Sequence, residues 1–297
     1  MTPSCRPGWL GSDGSPTVAQ RPSALMDPLA DVTPLILTFN EEANIGRTLA
    51  RLGWARRIVV IDSGSTDAPL QLLAADLRVQ VFQRSFDTHA RQWNYGLAQV
   101  SSTWVLSLDA DYLISEGLAE AMRRAFTAHG HQGLAGYSIP FRYCVFGRPL
   151  RGTVLPPRIA LFRRDAGAYV DDGHTQDLHL QGRCGAIGTP ILHDDRKPLR
   201  RWLWAQERYL SLERDKLLST PTGRLSRADR LRRGKLLAPL AMLLVCLIQK
   251  RCLLDGWRGW FYALQRTYVE VLLALMLLEV DCTAAADVSD PPASCAS

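Results

Sequence analysis

The seven cysteines, Cys5, Cys144, Cys184, Cys246, Cys252, Cys282 and Cys295, include no C-x-x-C pair and no metal-ligand spacing. That excludes a thiolate zinc site or a dithiol redox motif, and an odd, scattered set of thiols suits a reducing compartment. The first 30 residues mix Pro, Gly, Ser and Arg and lack a continuous apolar core, so no secretory signal is visible there. Residues 1–32 read as a disordered leader. No Gly-rich phosphate loop follows the first apolar run. Phe39-Asn40-Glu41-Glu42 stands in that place, which argues against a nucleotidyltransferase that cradles phosphate on glycine amides. The apolar runs of the C-terminal part are short: Leu236 to Ile248 is interrupted by Pro239 and falls well under the roughly 20 residues that a spanning helix needs.

What is present is a globular composition. The chain has 297 residues, 47% hydrophobic and 22% charged, enough for one large domain and an appendage. Its net charge of +6 is concentrated, with 13 Lys or Arg against 4 Asp or Glu between Arg196 and Lys235. Such a segment calls for an anionic partner surface. Its charges adjoin apolar runs rather than stacking aromatics, which favours lipid headgroups over nucleic acid.

From Thr33 the pattern alternates. Thr33 to Thr38 is a strand, and Ile45, Leu49 and Leu52 share one face of a helix with acids in its first turn. Arg57 to Ile61 is a strand ending at Asp62, and Ser63 to Asp67 is turn and cap material before a helix carrying Leu70, Leu73 and Leu77. Val79 to Phe82, the helix Thr88 to Ala98, and the buried strand Trp104 to Leu108 follow. Four strand and helix units in alternation predict a mostly parallel sheet covered by helices, an α/β Rossmann-like domain over residues 33–200. Ligands sit at the carboxyl ends of such strands, and Asn40, Asp62, Asp109 and Asp111 fall there. Asp109 and Asp111, spaced i and i+2, point the same way in extended chain and can share one hard cation. Asp62 alone reads equally as a helix cap.

Four stretches together carry a resemblance: Leu35 to Glu42, Ile58 to Asp67, Gln92-Trp93-Asn94-Tyr95-Gly96-Leu97, and Leu106 to Asp111. In this order they resemble the family 2 glycosyltransferases of the GT-A fold, and within them the branch of lipopolysaccharide core and other envelope-polysaccharide transferases. The resemblance implies that Thr38, Asn40, Glu41 and Asp62 line the nucleotide pocket, with Gln92 and Asn94 at its border. It implies that Asp109 meets ribose and metal and that Asp111 holds the metal, Mg²⁺ or Mn²⁺. His193, at the end of the domain's last strand, is a further candidate ligand or phosphate contact. An inverting transfer needs a base for the acceptor hydroxyl. Many relatives carry His-Glu where this chain has His174-Thr175, and Thr cannot serve. Asp172, Asp171 and His174 are the remaining candidates, with Asp172 preferred for adjoining the matched position.

Between these lie strand-like runs Tyr137 to Tyr143 and Ile159 to Arg163, separated by a loop whose Arg148, Arg151 and Arg158 either meet an anionic acceptor or are solvated. The acids and bases of His193-Asp194-Asp195-Arg196-Lys197 are expected to pair with each other. Residues 201–280 read as a basic and apolar helical tail: a helix Arg200 to Leu218, an aromatic belt Gly256 to Tyr262, and a second apolar block Val269 to Leu278 broken by Glu270. This suits an amphipathic hairpin on an anionic membrane leaflet, or a helical pair packed on the domain or forming a dimer. Residues 281–297 read as a disordered end. The chain is thus expected to move a sugar from UDP- or another nucleotide-sugar to a glycan or glycolipid acceptor, at the cytoplasmic face of a bacterial inner membrane. The alternative is a degenerate nucleotide-sugar-binding or scaffold protein.

Overall fold

In the first strand, β1 (Val32–Thr38), successive residues feed opposite faces of a sheet, Ile36 toward one core and Leu35 toward the other. The same alternation recurs in β2 (Ile58–Asp62), where Ile58 and Val60 join Ile36 while Val59 and Ile61 join Leu35. A sheet buried on both faces in this way must be covered by helices on both. The computed structural model describes residues 27–67, 69–128, 133–172 and 175–289. In it α1 (Glu42–Ala50) and α2 (Pro69–Ala74) precede β3 (Val79–Gln83), and α3 (His89–Gln99) precedes β4 (Trp104–Asp109). A short β5 (Tyr112–Ile114) leads into α4 (Leu118–Ala128) and β6 (Leu134–Ile139).

Next come β7 (Phe141–Val145), β8 (Arg148–Pro149), β9 (Arg158–Arg163) and the hairpin of β10 (Gly167–Asp172) and β11 (Thr175–Leu180). The domain closes with β12 (Arg183–Ala186) and β13 (Ile191–His193). The main sheet has the order β12-β6-β9-β4-β1-β2-β3. All its pairs are parallel except those of β9 with β4 and with β6. α1 and α4 cover one face through Ile45, Leu49, Met122 and Phe126, and α3 covers the other through Ala90, Trp93 and Leu97. α3 lies so close that a Cβ on Gly96 would come within 2.7 Å of Leu35 Cδ1.

Several sequence expectations change. The run Tyr137 to Tyr143 is two strands, because Pro140 between β6 and β7 has no amide to continue a ladder. Leu77 is fully exposed instead of sharing Leu73's buried face, since α2 has ended at Ala74. Residues 27–32 belong to the domain: Leu29 is fully buried, and Asp27 accepts two hydrogen bonds from Arg123 at 2.9 and 2.8 Å. Pro239 does not interrupt its helix, because it falls in the first turn, where no intrahelical donor is needed.

The apolar blocks of the tail are likewise not separate. After α5 (Leu199–Ser219) and α6 (Arg227–Arg233) come α7 (Leu237–Leu244), a wider turn Val245–Gln249, and one helix, α8 (Trp257–Ser289). Residues 281–289, expected to be loose, continue that helix through an alanine-rich stretch of high helix propensity. Glu270 does not break it. The carboxylate is buried and takes both ends of the Arg232 guanidinium, with Nε at 3.0 Å and Nη2 at 2.8 Å from Oε1. The Trp257–Thr283 segment, of mean hydropathy 1.4, is long and apolar enough to cross a membrane.

Candidate active site

Registers bring the predicted acids to one edge. Thr38 pairs with Asp62 across β1 and β2, and Leu37 with Asp109 across β1 and β4, so the three strands end side by side. Beyond Asp109 a tight turn, Ala110-Asp111, is held by Thr48 of α1, whose hydroxyl donates to the Ala110 carbonyl at 2.7 Å. It is held also by the Asp194 amide, which donates to the Asp111 carbonyl at 3.0 Å. β13 lies between β5 and β7 and places His193 opposite Tyr112 and Tyr143. His193 Nε2 is therefore 3.2 Å from Asp111 Oδ2, with its ring packed edge-on against both tyrosines.

The electrostatics are those of acids crowded without enough counter-charge. Asp109 is half-buried; burial and the neighbouring Asp111 carboxylate push its pKa up. Asp111 is buried, and although burial alone would raise it, the charge and hydrogen bond of His193 hold it below the usual carboxylate range. His193 is raised in turn: the pull of Asp111 outweighs burial. Glu41 is pushed up to about 7 by burial and by Asp111, against the opposing pull of Lys197. Lys197 Nζ lies 2.5 Å from Glu41 Oε1 and 3.8 Å from Asp195. The Asp111 Oδ1 and His193 Nδ1 atoms are buried and have no hydrogen-bond partner. A buried acceptor oxygen without a donor, flanked by a second carboxylate, fits a hard cation. Among the described residues, however, no three His, Cys, Asp or Glu side chains come close enough to form a preformed metal cluster.

The other candidates are engaged locally. Asp62 is fully buried and closes the following turn, accepting from the Gly64 and Ser65 amides at 3.0 and 3.1 Å and from the Ser65 hydroxyl at 2.5 Å. Asn40, in the left-handed region at φ 55°, accepts from the Thr66 amide at 2.8 Å. The Thr38 hydroxyl is buried with no partner. Gln92 is buried and ties Ser63 to the Arg84 carbonyl at 2.9 and 3.1 Å. Asn94 clamps β10 with both ends of its amide, donating to the Tyr169 carbonyl at 2.8 Å and accepting from the Tyr169 amide at 2.9 Å.

Tyr169 is buried, stacks on Trp93 at 5.3 Å, and burial lifts its phenol well above the usual range, with Asp109 adding to the rise. Asp171, two residues on, shares that strand face and is exposed. His174 lies outside the described residues, as does the side chain of Asp172.

The Asp194-to-Lys197 loop pairs as expected. Asp194 takes Arg47 Nη1 at 2.6 Å and Arg196 Nε at 3.0 Å, tying α1 to the end of β13. Arg148, Arg151 and Arg158 are exposed, but their loop is pinned to the tail. Arg151 pairs with Asp255 at 3.4 Å, Phe146 packs on Trp257 and Phe261, and the Val154 amide donates to the Tyr262 hydroxyl at 3.0 Å. Sequence reasoning missed Lys197 as a partner of Glu41, and it missed Tyr143, the ring between His193 and Tyr262. Each depends on pairing across the fold, so no local pattern marked it.

The sequence model described as glycosyl transferase family 2 matches residues 35–186. The lipopolysaccharide core biosynthesis glycosyltransferase LpsC of Rhizobium meliloti (strain 1021) is 27% identical over 198 residues, 64% of this chain and 73% of LpsC. The uncharacterized glycosyltransferase RP128 of Rickettsia prowazekii (strain Madrid E) is 28% identical over 109 residues, covering 36% of this chain and 37% of its own. Among solved structures, S. aureus TarS 1-349 in complex with UDP-GlcNAc overlays at a TM-score of 0.45 with 16% identity, over 81% of both chains. Glucosyl-3-phosphoglycerate synthase from Mycobacterium tuberculosis, in complex with Mn²⁺, UDP and phosphoglyceric acid, does so at 0.41 with 14% identity, over 64% of this chain and 79% of its own. Those structural likenesses are too distant to inform the site. The family match extends over more than half of the chain and contains Asp62, Asp109 and Asp111, and on it the chain belongs to glycosyl transferase family 2.

Proposed function

We propose that the chain transfers a sugar, with inversion, from a nucleotide-sugar donor to a hydroxyl of a glycolipid or lipopolysaccharide-type acceptor. The observation that carries this reading is the buried, unpartnered Asp111 Oδ1 beside Asp109 and Glu41, at the sheet edge where α/β domains bind ligands. Likeness to a lipopolysaccharide core transferase supports the acceptor class. Asp109 and Asp111 would hold Mg²⁺ or Mn²⁺, which supplies charge compensation for a leaving diphosphate. Hard oxygen donors disfavour zinc. His193 orients Asp111 through its 3.2 Å contact, and Lys197 adds a fixed positive charge between Glu41 and Asp195. Asp171 or Asp172, at the tip of the β10 strand that Asn94 holds in place, takes the acceptor proton.

The test is release of nucleotide from a panel of UDP-, GDP- and other nucleotide-sugars in the presence of an envelope glycolipid fraction. Replacing Asp171 and Asp172 together with Asn is expected to lower turnover at least ~100-fold with donor binding unchanged, the lower range for loss of a general base. Full activity in that variant would remove both as the base. Thr175, where many relatives carry Glu, favours a second reading, a nucleotide-sugar-binding module without turnover. Tight nucleotide binding with no release from any donor would select it.

The tail is proposed to lie on an anionic membrane leaflet at the cytoplasmic face. α7 and α8 pack together, and with the segment 245–256 that joins them they expose Leu240, Leu244, Ile248, Leu254, Trp257 and Leu264. Arg227, Arg230, Lys250 and Arg251 flank that surface in sequence. This is the composition of an interfacial anchor. The opposite side of α8 buries Tyr262, Glu270, Leu273 and Leu277 against protein, which supports a helix lying on the leaflet.

A further inference from the structure

α8 also faces the domain with positive charge that no carboxylate among the described residues pairs with. Arg258 Nε, Gln265 Oε1 and Arg266 Nε are buried atoms without a hydrogen-bond partner. At helical spacing they flank Tyr262, which is fully buried, so they lie on the inward side of the helix. The Arg266 guanidinium rests over the rings of Tyr143 at 5.8 Å and Tyr262 at 5.5 Å. Arg258 rests on Trp257 at 4.5 Å. Among the described residues no carboxylate forms an ion pair with either arginine. The same bundle shows what a structural arginine looks like here: Arg232 is matched bidentately by Glu270 and lies 3.8 Å from Glu213.

A buried Nε donor left without an acceptor is unfavourable, and an external oxyanion would complete it. The location says which one. Tyr143, against which Arg266 stacks, packs at 4.9 Å on His193, and His193 bonds Asp111. The Arg266 face is thus one aromatic ring away from the proposed donor site. It borders the 146–158 loop, which is pinned to α8.

We propose that Arg266 binds a phosphate group carried by the acceptor. Arg258, two turns earlier and ~12 Å along the helix axis, gives a second anchoring point. This rests on the transferase reading and adds to it that the acceptor enters between the Asp109–Asp111 edge and the tail. A guanidinium fork receives two oxygens of a phosphate in one plane, and stacking on two tyrosines fixes its orientation beforehand. The phosphate belongs either to the glycan or to the lipid headgroup beneath the apolar stripe of α7 and α8.

The experiment is calorimetric titration of the full chain with inorganic phosphate, with and without saturating UDP and Mn²⁺, for wild type, Arg266→Gln, Arg266→Lys and Arg258→Gln. Wild type is expected to bind phosphate with UDP present. Arg266→Gln should weaken this at least ~10-fold, the loss typical of one charged hydrogen-bonded contact, and Arg266→Lys should weaken it less. Thermal unfolding and UDP affinity report on folding, and Arg258→Gln provides an independent reading if Arg266→Gln does not fold.

Sedimentation with phosphatidic acid vesicles against phosphatidylcholine vesicles separates the sources. Loss of the phosphatidic acid preference in Arg266→Gln assigns a headgroup, and an unchanged preference alongside lost phosphate affinity assigns the glycan. Phosphate affinity equal in wild type and Arg266→Gln, or absent in wild type, overturns the proposal. If wild type binds phosphate through Arg266 but binds no nucleotide, the transferase reading fails while this site stands.

Discussion

Glu41 concentrates the electrostatic tension of the site in one side chain. With its pKa at about 7, it is favoured in the protonated form by the fold, because burial and Asp111 outweigh Lys197. A raised carboxylate contributes stability that is complete below its unfolded value near 4.5 and is lost as pH rises through about 7. Glu41→Gln mimics the protonated form. The stability of this variant relative to wild type should therefore rise by about 3 kcal/mol between pH 4 and pH 8 in denaturant titrations. A difference that stays constant with pH would show that the site does not crowd Glu41 as described. At this scale the sequence was informative where spacing decides. The spacing of Asp109 and Asp111 marked the end of β4 as a carboxylate pair, although Asp111 lies in the turn just beyond the strand. It was silent on the Glu41–Lys197 pair, 156 residues apart. The Asn94 amide was legible as a polar group on the right helix, but its pair of hydrogen bonds with the Tyr169 backbone requires knowing that β10 runs beside α3.

Elements fit the domain to its tail through a contact with almost no tolerance. A Cβ on Gly152 would meet the Lys250 carbonyl oxygen at 2.5 Å, backbone that cannot swing aside. Gly152→Ala is expected to destabilise the docked tail by about 1–3 kcal/mol, the range for overpacking. Limited proteolysis should then cut between α6 and α8 faster than in wild type while the domain core resists. Unchanged cleavage would mean that the tail does not bear on the 146–158 loop. The βαβ half was legible because each strand and helix carries its own period. The tail was not, since a Glu inside an apolar run reads as an interruption. Glu270 is instead satisfied by Arg232, a partner 38 residues earlier that only the packed bundle brings near.

On the scale of the whole molecule, one helix serves two surfaces: the inward side of α8 reaches Tyr143 beside His193, and its outward side continues the apolar stripe of α7. Leu240 and Leu264 are 61% and 56% exposed, so changing both to Gln should leave thermal stability unaltered. The pair should weaken sedimentation with phosphatidylglycerol-containing vesicles by about 2 kcal/mol, roughly 30-fold. Vesicle binding equal to wild type would move the tail from the membrane to another partner. The central claim concerns the site beyond Tyr143 and His193, where the sheet edge is held to bind a nucleoside diphosphate through a cation on Asp109 and Asp111. It is tested most directly by calorimetric titration of wild type and Asp111→Asn with UDP and GDP, each with and without Mn²⁺. The account predicts that wild type binds one of the two nucleotides at least ~10-fold more tightly with Mn²⁺, and that Asp111→Asn, still folded, loses that gain. Nucleotide binding indifferent both to Mn²⁺ and to Asp111→Asn would contradict it.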